Sequence, residues 1–274
     1  MAAFHVYAGA GGAVEHPDIR RISMADLSEA LRAGFEDFME KPTHILFIGI
    51  LYPIVGIVLA TWTSGANALP LLFPLASGFA LIGPVAAIGL YEISRRREQG
   101  LEVSWRDALA VLRSPALPSI AAVGALLLAV FIAWLLVAQD LYAALIGPEA
   151  PASVEAFAQA LFGTSQGWTL IVVGNAVGLV FAVVSLCTSV VAFPLMLDRD
   201  VGAWAAVQTS WRAAMANPVE IAAWGLIVAA LLLLGSLPVF VGLVVVVPIL
   251  GHATWHLYRR LVAPAARSSE RRVG

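Results

Sequence analysis

The chain has 274 residues, of which 60% are hydrophobic and 12% are charged, whereas a soluble domain carries about 25% charged residues. Its formal net charge is −2, so the chain lacks the excess of basic residues that would indicate nucleic-acid binding. Cys187 is the single cysteine, which excludes an intramolecular disulfide and a multi-cysteine metal site. The composition therefore predicts an integral membrane protein with little mass outside the bilayer.

Six apolar segments follow one another along the chain, each with at least the roughly 17 residues that a spanning helix needs. They cover residues 44–62, 69–92, 118–139, 168–197, 218–234 and 237–258. We therefore predict an all-α, polytopic membrane helix bundle in which six transmembrane helices form three hairpins. Residues 23–262 make up this single domain, residues 1–22 a flexible N-terminal arm, and residues 263–274 a flexible basic tail.

The sixteen Lys and Arg residues are confined to four short stretches that lie between the hairpins and near the two termini. With both termini in the cytoplasm, the external segments 63–68, 140–167 and 235–236 contain no Lys or Arg. Positive charge in short loops stays on the cytoplasmic side, so this orientation is predicted over its opposite. The N-terminus lacks the basic region and apolar core of a signal peptide, and the first span is expected to direct insertion.

An amphipathic stretch that ends in proline precedes each hairpin, at residues 27–42, 103–115 and 203–218. In the first copy, one face carries the apolar residues Leu27, Leu31, Phe35, Phe38 and Met39. The opposite face carries Arg32, Glu36, Asp37 and Glu40. Short amphipathic helices lie in the membrane interface, and proline suits the first turn of the helix that follows. The pattern predicts three repeat units, at about residues 23–92, 100–197 and 201–258.

Proline also recurs inside the second span of each hairpin, at Pro84, Pro194 and Pro248. An interior proline cannot donate the helical hydrogen bond and kinks the helix, so a bend is expected in each of these spans. The fifth span begins with a helix-start pattern in which Asn217 is the N-cap and Pro218 the first helical residue.

The closest match to a metal or haem site is the pair His252 and His256 in the last span. Residues four apart share a helix face, so both imidazoles could bind one metal ion or haem. The alternative is a polar anchor belt at the cytoplasmic interface, where Trp255, Tyr258 and Arg259 also lie. The other histidines, at positions 5, 16 and 44, are far away in sequence.

Charged residues at the ends of predicted spans have two interpretations each. Arg95, Arg96 and Arg97 are a candidate site for anionic lipid headgroups, or they only hold their loop in the cytoplasm. Glu92 and Glu220 could belong to an ion or proton path. Alternatively, Glu220 stabilises a helix N-terminus and Glu92 pairs with Arg95 or Arg96 one turn on.

Gly174, Asn175 and Gly178 lie together in the fourth span. Glycines four apart let two helices approach closely, and asparagine can hydrogen-bond across the contact. We assign these residues to helix packing, with contact to a ligand as the alternative. The sequence contains no nucleotide-binding loop, GxSxG elbow or Cys/His cluster, so no catalytic residue is predicted and the chain is not expected to be an enzyme.

The strings GLYEISRRREQG, FPLMLDRD, ANPVEIAAWGLIVA and VPILGHATWHLYRR together resemble a family of bacterial predicted integral membrane proteins with a domain of unknown function. The resemblance runs from about Ile19 to Val262, and some members carry the label of cytochrome c oxidase subunits. It implies the bacterial inner membrane as the location and a respiratory complex as a partner. A catalytic haem–copper subunit needs several intramembrane histidine ligands, which the spans lack before His252.

Three functions follow from these features. The first is a non-catalytic inner-membrane protein that is an accessory or assembly partner of a respiratory complex such as cytochrome oxidase. The second is a carrier or channel for a small neutral or lipid-like solute, which the repeats, the proline-containing helices and Asn175 favour. The third is a haem- or metal-binding membrane protein that uses His252 and His256. The expected partners are the lipid bilayer and a membrane protein, and no nucleic acid is expected as a partner. The first two functions require no cofactor.

Overall fold

The computed structural model describes residues 17–40, 69–149, 151–199, 201–238 and 241–264 of the chain. The helices in these ranges are α1 (Met24–Glu40), α2 (Leu69–Ala86), α3 (Ile88–Glu98), a 3-10 helix (Trp105–Arg113), α4 (Leu117–Leu145), α5 (Val154–Phe162), α6 (Ser165–Ser189), α7 (Ala192–Asp198), α8 (Ala203–Ala216), α9 (Pro218–Ser236) and α10 (Leu243–Leu261). Within these ranges no β-strand is found, and only Ile19 and Val262 form an isolated antiparallel bridge. The predicted all-α class is confirmed.

Three helical segments of the described chain are long and apolar enough to cross a membrane, at Leu117–Leu145, Ser165–Asp198 and Pro218–Ser236. They correspond to the third, fourth and fifth predicted spans. The predicted first span at residues 44–62 lies outside the described residues. The last predicted span starts later than expected, because α9 continues to Ser236 and α10 begins only at Leu243.

Proline divides one predicted span and leaves another intact. The segment 69–92 forms two helices, α2 and α3, which separate at Ala87, three residues after Pro84. In α10, by contrast, Pro248 lies inside a helix that is continuous from its first to its last residue. The first hairpin is thus interrupted at one residue, Ala87, whose N–H still donates to the carbonyl of Gly83 at 3.0 Å, whereas the helix of the last hairpin continues through its proline.

The long apolar segment Ser165–Asp198 is also divided, into α6 and α7, at Val190 and Val191. Pro194 has no N–H to donate to the carbonyl of Val190, four residues earlier, so the helical ladder is weakened here. The hydroxyl of Ser210 in α8 accepts a hydrogen bond from the Val191 N–H at 3.1 Å. The side chain of Ser210 thus satisfies a backbone group that the break leaves without a helical partner.

The buried core lies at the end of the molecule where the charged side chains collect. It is formed by α1, α3, α7, α8 and α10 together with the first half of α4 and the start of α9. Its largest fully buried side chains include Tyr91, Phe193, Trp224 and Trp255. In contrast, only 6% of the most apolar part of Ser165–Asp198 is buried. Large outward-facing apolar surfaces mark contact with a membrane or another protein, as expected for an integral membrane protein.

All three amphipathic stretches are helical, as α1, the 3-10 helix and α8, but α1 packs through a different face from the predicted one. Its buried residues are Leu27, Ala30, Gly34 and Asp37, and they pack on α10. The prediction that Asp37 lies on the exposed charged face is therefore wrong. Small residues at positions 30 and 34 let the two helices approach closely, which brings the next turn of α1, with Asp37, against α10.

A large apolar side chain is exposed at the same position of each amphipathic stretch, three residues before the closing proline. Met39 is 63%, Leu112 64% and Met215 68% exposed. We call these three residues the apolar collar. Because they are outside the core, their exposure is consistent with the predicted interfacial position of the three helices.

The segment that precedes α1 is fixed to the end of the chain by backbone hydrogen bonds. The Arg20 N–H donates to the carbonyl of Leu261 at 2.8 Å, and the Ala263 N–H donates to the carbonyl of Asp18 at 3.0 Å. Residues 17–22 were expected to belong to a flexible arm; these bonds instead attach them to the membrane domain. The rest of the predicted arm, residues 1–16, and most of the predicted tail lie outside the described residues.

Asn217 completes this attachment. Its amide oxygen accepts a hydrogen bond from the Ile22 N–H at 2.9 Å, and its amide nitrogen donates to the carbonyl of Arg20 at 3.1 Å. Asn217 stands at the N-cap position of α9 as predicted, with Pro218 as the first helical residue, but its side chain makes no capping hydrogen bond. The side chain connects the N-terminal segment to α9 instead.

Candidate functional site

A buried carboxylate, Asp37, joins α1, α3 and α10 at the charged end of the molecule. Asp37 is only 5% exposed. Its Oδ2 atom accepts hydrogen bonds from His256 Nε2 at 2.9 Å and from Ser94 Oγ at 2.5 Å, and Arg97 donates to its Oδ1 atom. We call Asp37, Ser94, Arg97, His252 and His256 the Asp37 cluster.

His252 is the completely buried member of the cluster. Its Nδ1 atom lies 2.8 Å from Ser94 Oγ and 3.9 Å from Asp37 Oδ2. Ser94 Oγ is therefore within hydrogen-bond distance of both the carboxylate and the imidazole. His252 and His256 lie on one face of α10, as their spacing predicts, and Asp37 of α1 is the group that meets both of them.

The pKa of Asp37 lies below its usual value. Burial alone would raise this pKa, but hydrogen bonds from His256 and Ser94 and the nearby imidazoles favour the ionised carboxylate and outweigh burial. Arg97 contributes a further ion pair, which it shares with Glu40 at the end of α1. Asp37 is thus an anion held in place by cations and hydrogen-bond donors of two other helices.

A second buried carboxylate, Glu92, lies on α3 and pairs with two arginines of its own helix. Glu92 accepts hydrogen bonds from Arg95 at 2.8 and 2.9 Å and from Arg96 at 2.7 Å. Arg96 also donates to Asp107 of the 3-10 helix at 2.8 Å. Of the two interpretations of Glu92, the described structure shows the ion pair at a helix end. Glu220 lies in the first turn of α9, as the helix-terminus interpretation predicts.

The end of α10 is joined to its neighbours by further polar contacts. Arg259 donates to Glu98 at 2.9 Å, Trp255 Nε1 donates to the same carboxylate at 3.0 Å, and Arg260 donates to Asp26 at 2.7 Å. Trp255 is fully buried, so it is a core residue and not part of an anchor belt in contact with lipid. These contacts fasten α10 to α3 and α1.

The Asp37 cluster resembles the residue set of a hydrolase in composition but not in arrangement. In a catalytic triad the histidine lies between the nucleophile and the carboxylate and takes the proton of the nucleophile. Here the Ser94 hydroxyl contacts Asp37 directly, and both Ser94 and His252 are buried. The contacts of the cluster join the three helices α1, α3 and α10.

At the predicted metal or haem site, one ring nitrogen of each histidine is already engaged by a protein side chain, which would compete with a metal ion. The Nδ1 atom of His252 contacts Ser94 and the Nε2 atom of His256 contacts Asp37. Across the described residues, no group of three or more His, Cys, Asp or Glu side chains is arranged to hold a metal ion. A metal bound to Asp37 would also face the charge of Arg97 on the same carboxylate. Metal or haem ligation by His252 and His256 stays a prediction.

The three consecutive arginines that were candidates for lipid headgroups are all engaged with carboxylates. Arg95 and Arg96 pair with Glu92, and Arg97 pairs with Asp37. A lipid phosphate would have to share each guanidinium with its protein partner. Headgroup binding by these residues stays a prediction, and the described contacts account for the three side chains without it.

The glycines of the fourth predicted span differ in their surroundings. A Cβ atom at Gly178 would lie 3.1 Å from the ring of Trp134, so Gly178 allows α6 to pack closely against α4. At Gly174, a Cβ atom would meet nothing within 4 Å. The Asn175 amide donates to the carbonyl of Ile171 in its own helix at 2.7 Å and makes no interhelical bond to a described residue. Of the three residues, Gly178 lies at a contact with another helix, and the assignment of the whole set to helix packing stays a prediction.

Gly174 and Asn175 instead line a cavity of about 310 Å³ between α2, α4, α5 and α6. Trp134 and Tyr142 of α4 and Phe157 of α5 contribute aromatic walls. The sequence pattern did not indicate this cavity, although it did single out the two residues of α6. The alternative that Gly174 and Asn175 contact a ligand therefore remains open, because both residues line a cavity that a ligand could occupy.

Residues 72–198, which run from α2 to α7, match a family model described as "Predicted integral membrane protein (DUF2189)". This confirms, for that segment, the family that the sequence motifs resemble. No curated protein and no solved structure shows a significant match to the chain. The family description assigns membrane insertion and no activity, in agreement with the apolar helices of the structure.

Proposed function

We propose that the protein spans the bacterial inner membrane six times, as three hairpins of a threefold repeat, with both termini and the Asp37 cluster in the cytoplasm. The confinement of Lys and Arg to one set of loops supports this topology. The apolar collar adds support, because Met39, Leu112 and Met215 lie at the ends of helices that precede the first spans of the hairpins.

Cysteine accessibility tests the topology. Cys187 is the only cysteine, so Cys187→Ser provides a background without thiols. In it, Ser165→Cys at the exposed start of α6 is expected to react with a membrane-impermeant maleimide in spheroplasts. The matched variant Ser28→Cys, exposed on α1, is expected to react only after lysis. Labelling of Ser28→Cys before lysis, with Ser165→Cys protected, would reverse the orientation.

Within the membrane the protein is proposed to act through binding, as a non-catalytic accessory or assembly partner of a respiratory complex. One observation carries the non-catalytic role. The most concentrated group of ionisable side chains, the Asp37 cluster, is closed by mutual hydrogen bonds and ion pairs. Such a network positions helices, and its carboxylate Asp37, its hydroxyl Ser94 and its imidazole His252 are buried. The respiratory partner rests on the family resemblance.

Purification from native membranes in a mild detergent tests this role. With an affinity tag at the C-terminus, we expect near-stoichiometric recovery of subunits of a respiratory complex and its haem absorbance. Recovery of the tagged chain alone would contradict the proposal. Haem absorbance in a preparation that contains only this chain, and its loss in His256→Ala, would instead support ligation by His252 and His256.

A second candidate function, a carrier for a neutral or lipid-like solute, is favoured by the cavity between α2, α4, α5 and α6. Its walls are apolar apart from a few neutral polar groups, so it suits an uncharged molecule. Ion-coupled transport is not supported by the described spanning segments, because the carboxylates Asp37 and Glu92 lie at the charged end and are paired.

A further inference from the structure

We infer that the cavity between α2, α4, α5 and α6 binds the hydrocarbon chain of a neutral lipid whose polar part carries a hydroxyl or carbonyl group. The inference deepens the second candidate function and rests on the placement of α4 and α6 in the bilayer. It assigns a ligand class to Gly174 and Asn175, which packing between helices does not explain.

The volume suits part of a lipid chain. An apolar protein cavity of about 150 Å³ holds one benzene molecule, so a cavity of about 310 Å³ has room for roughly twice as many carbon atoms, about twelve. No charged side chain is among the described residues that line it. A charged ligand would therefore lose its hydration without gaining an ionic partner, which favours a neutral molecule.

The inner wall of the cavity is rigid. Trp134 Nε1 donates to the carbonyl of Pro74 in α2 at 3.0 Å, and the Trp134 ring packs on Phe181 of α6 with the ring centroids 5.7 Å apart. Gly178 packs closely against the same indole, since a Cβ atom there would lie 3.1 Å from its ring. Since these contacts fix the indole within the protein, the part of it that lines the cavity meets a ligand without rearrangement, as in preformed small-molecule sites.

Two polar groups give the cavity its preference for a hydroxyl or carbonyl. Tyr142 is about nine-tenths buried, and no described residue hydrogen-bonds to its hydroxyl. Asn175 uses one amide hydrogen on the carbonyl of Ile171, which leaves its second hydrogen and its oxygen available. The Tyr142 hydroxyl is not among the buried side-chain atoms of the described residues that lack a partner, so it is accessible, and a ligand that hydrogen-bonds to it would be held in a defined orientation.

The helix α5 places the cavity at the edge of the bilayer. It follows the C-terminal end of α4 and precedes α6, and its Phe157 ring lies 6.2 Å from the ring of Tyr142. The cavity thus extends from Trp134, within the span, to Tyr142, near the end of the helix. A lipid with its chain toward Trp134 would place its polar part beside Tyr142, where lipid headgroups meet the hydrocarbon.

Photolabelling in proteoliposomes tests the inference, with a monoacylglycerol that carries a diazirine in its acyl chain as the probe. Gly174→Leu fills the cavity from a position where a new Cβ atom meets nothing, and is expected to fold. We expect it to reduce labelling of the cavity peptides by about tenfold or more, since several buried methylenes are displaced. The matched control Val172→Leu, on the exposed face of the same helix, is expected to keep wild-type labelling.

A second variant tests the polar contact. Tyr142→Phe keeps the ring and removes the hydroxyl, and we expect labelling at a limiting probe concentration to fall by about three- to tenfold. Excess unlabelled monoacylglycerol should abolish labelling of the cavity peptides and leave the outer faces of α4 and α6 labelled. Equal labelling in wild type and Gly174→Leu, or labelling without competition, would overturn the inference. Absence of labelling on the outer faces of α4 and α6 would instead contradict the placement of these two helices in the bilayer.

Discussion

Replacing Asp37 with alanine is expected to lower the free energy of unfolding by about 3 kcal/mol, because removal of one partner leaves buried polar groups uncompensated. In Asp37→Ala, Arg97 and His256 lose their carboxylate and Ser94 loses its acceptor. The effect lies at the lower end of the usual range, since the Arg97 and His256 side chains are 28% and 25% exposed. Thermal unfolding of the purified protein in detergent, followed by circular dichroism, measures it.

Glu40→Ala provides a matched control on the same helix. Glu40 also pairs with Arg97, but its side chain is 61% exposed, so its loss is expected to cost about 1 kcal/mol or less. Equal destabilisation by the two variants would mean that the burial of Asp37 adds nothing to the pair, contrary to the role given to the Asp37 cluster.

Asp37→Ala is also expected to change how the stability of the protein depends on pH. Because the pKa of Asp37 is lowered in the folded protein, its contribution is complete above the pKa of the unfolded chain, about 4, and is lost as the pH falls toward the folded value. Wild type should therefore lose stability below about pH 4, and Asp37→Ala should lose less. The lowered pKa values of Asp26 and Asp107 leave a residual acid dependence in both proteins.

Gly34→Val is expected to destabilise the protein by about 3 kcal/mol, at the upper end of the cost of overpacking. A Cβ atom at Gly34 would lie 2.5 Å from the backbone nitrogen and 2.7 Å from the Cα of Ala253 in α10. These atoms belong to the backbone of a packed helix, so relief requires α1 to move away. That movement would also separate Asp37 from His256, and the thermal unfolding midpoint should fall accordingly.

Gly83→Val is the control for the substitution itself. Gly83 lies inside α2, and a Cβ atom there would meet nothing within 4 Å. Valine is a somewhat better helix former than glycine, but position 83 precedes Pro84, which disfavours a helical backbone for a residue with a Cβ atom, so we expect a midpoint near wild type and well above that of Gly34→Val. A wild-type midpoint in Gly34→Val would show that α1 and α10 do not pack as closely as described.

Much of the fold could be predicted because hydropathy and helical periodicity are local properties. Apolar length placed the segments now seen as α4, α6 with α7, and α9, and the spacing of His252 and His256 put both on one face of α10. The pairing of Glu92 with Arg95 and Arg96 was also foreseen as one of two interpretations, since the partners lie three and four residues away.

Asp37 was missed for a physical reason. In a soluble protein the apolar face of a helix is the buried one, but at a membrane surface apolar residues such as Phe35 remain outside the protein core. The partner His256 is 219 residues away, beyond the reach of periodicity. Ala30 and Gly34 were the available signal, because small residues one turn apart mark a close helix contact. The cavity depends on how four helices pack, which local patterns do not encode.

The union of α1 with α10 has a consequence for biosynthesis. His256 is made 219 residues after Asp37, so the carboxylate of Asp37 is synthesised well before its partner on α10. In a truncated polypeptide that stops before α10, the Asp37 carboxylate would lack its hydrogen bond to His256. Leu27, Ala30 and Gly34, which are buried in the complete fold, would be uncovered. Packing of α1 therefore waits until α10 has been made, and a molecule that lacks α10 leaves α1 without the helix on which its buried face packs.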